Sequence, residues 1–225
     1  MKFTKIILGI WLLSTSVLAQ ESMHKESLEE ENEREGLKAK GFFIGVDFEN
    51  IDADTRYRVN SQNALFNIPN SSDKYNEPAF KLGYQYYYTR VYFKYSSLDE
   101  KTQDYTVEST SYELDVEYLP IFYRGDSYVI RGLLGTAIGY MDSDLKNLSA
   151  RLIQEAEFVG LSDLSDTQPV YGVQIGLVFE MTNGLSAEFG YRYRRGNLLE
   201  SDNGTDSVTF ETKRKQLYLG LNYLF

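Results

Sequence analysis

The sequence lacks cysteine altogether, which excludes a disulfide-stabilised scaffold, a thiol nucleophile and anchoring to a lipid through a cysteine. Histidine is nearly absent, since His24 is the single one. An excess of basic residues is also missing: 23 Lys and Arg stand against 33 Asp and Glu, for a formal charge of −10. Binding to nucleic acid needs clustered cations, so this balance argues against a nucleic-acid partner. No apolar run is long enough for a membrane-spanning helix.

The one long apolar run lies at residues 6–18. Lys2 and Lys5 precede it, and Val17 and Ala19 occupy the positions of a cleavage site. This layout predicts a secretory signal peptide over residues 1–19, cleaved after Ala19.

The next stretch, residues 20–40, is rich in glutamate and has almost no large apolar side chains. It cannot bury enough apolar surface to fold alone, which predicts a flexible acidic segment. A docking role for this segment is the alternative. A single folded domain is expected over residues 41–225.

From residue 41 onward, apolar and polar residues alternate with the period of two that is typical of half-buried β-strands. The alternation predicts eight strands, at residues 42–49, 79–88, 90–97, within 105–123, 127–141, 170–181, 185–194 and 216–225. In the last of them one face is unbroken and apolar: Leu217, Leu219, Leu221, Tyr223 and Phe225. Leu224 is an exception on the opposite, mostly polar face. The pattern therefore predicts an all-β domain.

The connections between these strands alternate in length. Short links are predicted at residues 88–90, 124–126 and 182–184, and long ones at 50–78, 97–104, 142–168 and 195–207. Such alternation, with an even number of strands, is typical of bacterial outer-membrane barrels. A terminal aromatic at Phe225, with Tyr223 two residues before it, also resembles the C-terminal signature of those proteins.

Residues 41–225 thus resemble the small OmpA/OmpX-type outer-membrane barrel family. The resemblance implies an eight-stranded antiparallel up-and-down transmembrane β-barrel with short periplasmic turns and longer external loops. Larger relatives add a peptidoglycan-binding domain, and none is expected here. The resemblance also implies that the last strand, through the five residues of its apolar face, is the signal that the barrel-assembly machinery reads.

Alternation alone does not decide which face is inside, and a soluble lipocalin-like barrel would be apolar inside. The strand glycines favour the membrane orientation, because eight of them lie on the polar face: Gly45, Gly83, Gly135, Gly139, Gly172, Gly176, Gly190 and Gly220. Glycine only weakens a solvent-exposed strand, whereas a narrow interior crowded with long charged side chains needs small neighbours. We predict a polar interior and an apolar exterior, with tyrosines in the interfacial girdles.

The predicted inward face carries charges of both signs: Asp47, Glu49, Lys81, Lys94, Glu113, Asp115, Glu117, Arg131, Glu180, Glu188, Arg192 and Arg194. An unpaired buried charge is strongly destabilising, so these groups are expected to pair. The pairing predicts an ionic plug, since eight strands leave an interior that side chains largely fill. The alternative is a narrow, gated, cation-preferring path.

The long link at residues 142–168 has apolar residues at helical spacing over 145–159, which predicts a short amphipathic helix. Such a helix could pack on the barrel mouth, lie in the outer leaflet or bind a partner. An apolar cluster at residues 64–68 could pack beneath it.

These features predict a non-enzymatic integral protein of the bacterial outer membrane, with a structural or surface-interaction role through its external loops. No catalytic residue, metal or cofactor is expected, because His24 precedes the barrel. Expected partners are outer-membrane lipid and lipopolysaccharide, the barrel-assembly machinery and, through the loops, a surface ligand or host molecule. Two alternatives remain: a small porin-like channel for ions or small hydrophobic compounds, and a soluble periplasmic ligand-binding barrel.

Overall fold

The structure, a computed structural model, describes residues 40–60, 71–101, 106–146, 165–202 and 207–225. These residues form nine β-strands: β1 (Lys40–Asn60), β2 (Ser71–Tyr86), β3 (Thr89–Lys101), β4 (Thr106–Tyr118), β5 (Ile121–Arg124), β6 (Tyr128–Lys146), β7 (Ser165–Met181), β8 (Leu185–Asp202) and β9 (Ser207–Leu224). Within these ranges no helix is long and apolar enough to cross a membrane.

Eight of the strands close into one antiparallel ring. The order around the ring is β1-β2-β3-β4-β6-β7-β8-β9, and β9 pairs with β1. The short strand β5 continues the line of β4 along β6. The closed ring confirms the predicted eight-stranded up-and-down barrel.

The ring closes with a stagger that sets its width. A path from one paired residue to the next leaves β1 at Gly45, crosses every strand and returns to β1 at Thr55, ten residues further on. A stagger of this size in eight strands corresponds to a strand tilt of roughly 40° and a backbone radius of about 8 Å. The interior is therefore narrow enough for side chains to fill.

The burial of the side chains is the reverse of that in a soluble protein. Among the described residues, thirty-one large hydrophobic side chains are exposed, and they point outward from the strands. Fifteen charged residues of the same strands are buried inside, among them Lys94, Asp115 and Arg192 at 1% exposure or less. An exterior of this kind suits acyl chains rather than water.

The outward apolar residues form a continuous belt. On β6 the belt runs from Ile130 to Tyr140, about 33 Å along the strand and about 25 Å along the barrel axis at this tilt. Exposed or half-exposed aromatic rings mark its two edges: Phe42, Tyr84, Tyr118, Phe179, Tyr223 and Phe225 toward the short turns, and Tyr95, Tyr112, Tyr140, Tyr171 and Tyr193 toward the long connections. The height of the apolar belt and the aromatic rings at its two edges match those of membrane-spanning barrels.

The strands extend further beyond the long-connection edge of the belt than the sequence predicts. β1 continues to Asn60 and β2 begins at Ser71, so the predicted link at 50–78 is mostly strand. Likewise β9 begins at Ser207, nine residues before the predicted start. Above the belt both faces of a strand meet polar surroundings, so the apolar alternation fades while backbone pairing goes on.

The predicted fourth strand, within residues 105–123, is divided into β4 and β5. The break falls at Leu119 and Pro120, where proline has no N–H to donate to the sheet. The Leu119 N–H instead donates to the Tyr88 carbonyl at 2.6 Å. Pairing of β5 with β6 is then irregular around Phe122, which lies in a register shift.

At its C-terminal end, the predicted second strand runs two residues too far. It ends at Tyr86, and Tyr87 and Tyr88 form the turn. Tyr87 has a positive φ of 44°, a conformation that a two-residue hairpin turn requires and that alternation cannot reveal. The Asn183–Gly184 turn is as predicted, with Gly184 at a φ of 87°.

Two predictions concern segments outside the described residues. Of the predicted helix at 145–159, Leu145 and Lys146 lie at the end of β6 and the rest falls outside. The apolar cluster at 64–68, the signal peptide and the acidic segment up to residue 39 also lie outside.

Candidate functional site: a buried ionic network

The structure places all twelve charged residues predicted to face inward inside the barrel, each no more than 7% exposed. Three further charged residues are buried with them: Glu77, Arg90 and Arg214. We refer to these fifteen residues as the lumen network. It contains eight carboxylates and seven cations, so the charges are nearly balanced.

The centre of the network is organised around Asp47 on β1. Lys81 contacts Asp47 at 2.7 Å and Glu188 at 2.8 Å. Arg192 reaches Asp47 at 2.6 Å and Glu49 at 2.5 Å through Nη1. Three strands, β1, β2 and β8, thus meet at three carboxylates, and each cation contacts two of them.

A second set of contacts crosses the lumen through Glu117. Arg90 donates from Nε to Glu117 at 2.7 Å and also pairs with Glu188. The Tyr92 hydroxyl donates to Glu117 at 2.7 Å, and Gln174 Nε2 donates to the same oxygen at 2.6 Å. Glu117 therefore receives three donors from two strands, β3 and β7, which satisfies a buried charge.

Toward the long connections, two cations divide three carboxylates between them. Lys94 lies 3.0 Å from Glu49 and 3.3 Å from Glu113. Arg194 contacts Glu113 at 2.5 Å through Nε and Asp115 at 2.8 Å through Nη2. These charge-assisted contacts tie β1, β3, β4 and β8 together.

A separate cluster closes the end with the short turns. Arg131 donates from Nε to Glu180 at 2.6 Å, and Gln85 donates to the other oxygen of Glu180 at 2.8 Å. Arg131 also donates to the backbone carbonyls of Tyr87 at 2.9 Å and Leu119 at 3.3 Å. One guanidinium thus fixes both the Tyr87 turn and the break between β4 and β5.

Aromatic rings fill the space beside the guanidinium groups. The Arg192 guanidinium lies 3.6 Å from the centre of the Tyr218 ring. The Arg90 guanidinium lies 5.0 Å from the Phe43 ring. Cation–π contact of this kind is strongest where water is excluded.

The inward glycines leave room for this network, as the sequence predicts. A Cβ added at Gly190 would lie 2.7 Å from the Tyr218 ring. A Cβ at Gly220 would collide with Asp47, and one at Gly45 would collide with Asn222. The glycines and the long side chains therefore interlock.

The sequence reasoning missed three members of the network. Arg90 shares the period of Tyr92 and Lys94, so continuing the alternation by two residues would have found it. Glu77 lies on a part of β2 that falls in the predicted link at 50–78, and Arg214 lies on a part of β9 that precedes the predicted last strand. Those parts lie beyond the belt, where neither face of the strand is apolar and the sequence therefore shows no alternation.

The lumen network offers little scope for acid–base catalysis or metal binding. Its carboxylates are engaged by Lys and Arg, except that Glu77 has no cation within ion-pair distance among the described residues. The same part of the chain holds no group of three metal-ligating side chains. A network in which most carboxylates are paired in this way holds the strands together.

No protein-family model matches the sequence, and no curated protein matches it. Solved structures match in fold. The crystal structure of Neisserial surface protein A has a TM-score of 0.56 and 18% identity, covering 82% of this chain and 97% of that chain. The outer membrane protein AlkL in lipid bilayers has a TM-score of 0.48 and 16% identity, over 82% and 90% of the two chains.

An enzyme is also among the matching structures. The outer membrane enzyme PagL has a TM-score of 0.34 and 12% identity, covering 80% of this chain and 99% of its own. The match to Neisserial surface protein A, at 18% identity, shows a shared architecture, that of small outer-membrane barrels, and does not extend to activity.

Proposed function

We propose that this chain, which has the fold of the small outer-membrane barrels, is a non-enzymatic integral protein of the bacterial outer membrane with a sealed lumen. Its external loops carry a structural or surface-interaction role. The observation that supports this most directly is the reversed burial, with an apolar belt outside and paired charges inside. A soluble periplasmic barrel would leave that belt in water, where apolar patches of such extent are avoided.

A sealed lumen is favoured over a channel by the size of the side chains that cross it. Arg90, Arg192, Arg194, Tyr92 and Tyr218 are among the largest side chains that are almost fully buried. A cavity at the short-turn end, between Phe43 and Glu180 among others, has a volume of about 10 Å³, room for one water molecule at most. The network therefore blocks the path that a porin would need.

Planar-bilayer recording tests this proposal. The purified barrel, with folding checked by heat-modifiable migration on gels, is expected to give no steady open conductance. A steady conductance from the folded protein would contradict the sealed lumen and favour the porin-like alternative.

We further propose that Phe225 is part of the signal for barrel assembly. Its ring is 59% exposed and lies edge-on to Tyr223 at 5.1 Å, while its N–H donates to the Phe42 carbonyl. Phe225→Ala removes the ring and keeps that hydrogen bond. We expect severalfold less folded protein in cell membranes, with unchanged refolding from denaturant into detergent.

The control is Phe48→Ala, which removes an equally exposed ring, at 61%, from the opposite edge of the belt. It is expected to leave both cellular assembly and refolding near wild type. If the two substitutions lower cellular assembly equally, Phe225 has no special part in it.

A further inference from the structure

The outer wall of the barrel carries a half-open apolar groove with a volume of about 440 Å³. It crosses strands β5 to β9, and its lining includes Phe122, Gly132, Leu177, Phe189, Tyr191 and Leu217. This volume lies within the range of about 300–1,000 Å³ that small-molecule clefts occupy. The groove lies inside the apolar belt.

The groove results from two irregularities of the wall. Gly132 takes an outward position between Ile130 and Leu134, so one side chain of the belt is missing there. Phe122, 67% exposed, is displaced by the register shift in β5 and stands over this glycine. A Cβ at Gly132 would collide with the Phe122 ring. The recess is thus bounded on one side by an aromatic ring that projects from the wall.

Cations lie directly above the groove on the same strands. β8 continues from Tyr191 to Arg195, and β9 carries Lys215 and Lys213 above Leu217. All three cations point outward, beyond the aromatic edge of the belt.

Two carboxylates face these cations. Glu211 lies 2.5 Å from Arg195 and 4.0 Å from Lys213, and Asp54 lies 3.8 Å from Lys215. The Arg195 and Lys215 side chains are 44% and 48% exposed, so both pairs are weakly held and open to competition. Asp52 lies between Lys215 and Lys74 in the register of β9, β1 and β2, so four outward cations face three carboxylates and this sector is net positive.

The other side of the barrel at the same level is acidic. Outward residues on β3, β4 and β6 include Asp99, Glu108, Asp142 and Asp144, with Lys146 among them. Lys146 donates to Glu108 at 2.5 Å, and this hydrogen bond raises the pKa of Lys146. In the described ranges, the groove therefore lies below the sector that attracts anions and away from the sector that repels them.

We propose that the groove and the cations above it bind one molecule of a phosphorylated, multi-acylated lipid of the outer leaflet, the lipid A part of lipopolysaccharide. One acyl chain occupies the groove, and a phosphate contacts Arg195, Lys213 and Lys215. This rests on the proposed outer-membrane location.

The dimensions fit such a ligand. The paired row Gly132–Leu177–Phe189 lies in the groove, and the next residue of this row, Leu219, lies four residues below Lys215 on β9. Four residues correspond to about 10 Å along the axis, less than half of a hydrocarbon core of about 30 Å. An acyl chain whose head group contacts Lys215 therefore reaches the groove.

Native mass spectrometry of the folded barrel in detergent, titrated with diphosphoryl lipid A, tests the site. The wild type is expected to retain one lipid A. Arg195→Gln with Lys215→Gln is expected to weaken binding about tenfold or more, since a cation at a membrane surface contributes about 1 kcal/mol. Leu177→Trp, which fills the groove, is expected to weaken it severalfold.

The matched controls lie elsewhere on the barrel. Lys146→Gln removes an outward cation from the acidic sector, and Leu82→Trp enlarges another exposed leucine of the belt, on β2. Both are expected to bind lipid A as the wild type does. Phosphatidylglycerol is expected to bind more weakly, because it has one phosphate and fewer chains.

Equal affinity of all variants would overturn the site, and equal affinity for phosphatidylglycerol would overturn the choice of lipid A. The proposed function fails on a different measurement, the bilayer conductance. The two failures are therefore distinguishable.

Discussion

Replacing Arg192 by glutamine is expected to lower the free energy of unfolding by about 3–5 kcal/mol or to prevent barrel formation. Arg192 is the cation that joins Asp47 and Glu49, at 2.6 and 2.5 Å, and it also donates from Nε to Gln174 at 2.6 Å. Without it, two carboxylates that are at most 2% exposed lose a cation inside the barrel. Because Arg192 also packs on Tyr218, the substitution leaves a gap beside the ring.

The measurement is urea-induced unfolding in lipid vesicles, followed by circular dichroism and by the folded band on gels. Arg195→Gln is the matched control, since Arg195 is on the same strand but points outward and is half-exposed. Its ion pair with Glu211 is a surface pair, so the expected loss is below about 1 kcal/mol. Equal losses at Arg192 and Arg195 would show that the buried network does not stabilise the barrel.

Adding a methyl group at Gly190 is the second substitution with a large expected effect. The new Cβ of Gly190→Ala would lie 2.7 Å from both the Ile175 carbonyl oxygen and the Tyr218 ring. Tyr218 cannot simply move, because the Arg192 guanidinium lies 3.6 Å from the centre of its ring. Overpacking of this kind is expected to destabilise the barrel by about 2–3 kcal/mol. Gly190→Leu, which adds three further carbons, is expected to abolish the folded band.

Gly196→Ala supplies the control for this prediction. Gly196 faces inward on the same strand, but its added Cβ would meet the Pro169 carbonyl at 3.0 Å and Val170 at 3.5 Å, with no ring beside it. The expected loss is about 1 kcal/mol or less in the same unfolding experiment. A loss at Gly196 as large as that at Gly190 would mean that glycine is needed for the backbone itself and not for space around Tyr218.

Much of the lumen network could be predicted because a strand has a period of two. Once Lys94, Asp115 or Arg192 is placed on one face, every second residue follows it, whatever the distant partner is. The glycines on the polar face then indicated that this face lies inside the barrel. The same reasoning could not reach Glu77 and Arg214, because their strand segments lie beyond the apolar belt and carry polar residues on both faces.

The pairing of the charges could not be predicted from the sequence. Lys81 contacts Glu188, a residue 107 positions away, and Gln174 connects Glu117 with Arg192 across the lumen. Which side chains meet depends on the stagger of the ring and on the reach of each long side chain. Neither quantity leaves a local pattern in the sequence.

The groove on the outer wall could not be predicted from the sequence either. Gly132 breaks the apolar alternation of β6 by one residue, and Pro120 marks an interruption, but neither observation alone predicts a recess. The recess exists because the break displaces Phe122 over Gly132 and because β8 and β9 bring cations above it. The position of the groove below these cations therefore depends on five strands, β5 to β9.

The sequence by itself determined the all-β class, the eight strands, the face that each residue takes and the sign of the charges inside. Side-chain direction is local, so alternation is enough to fix it. Only the tertiary structure decided the closure with a stagger of ten residues, the partners of each charge and the sector in which groove and cations coincide. Those features arise from residues far apart in the chain, and they are set by how the ring of strands closes.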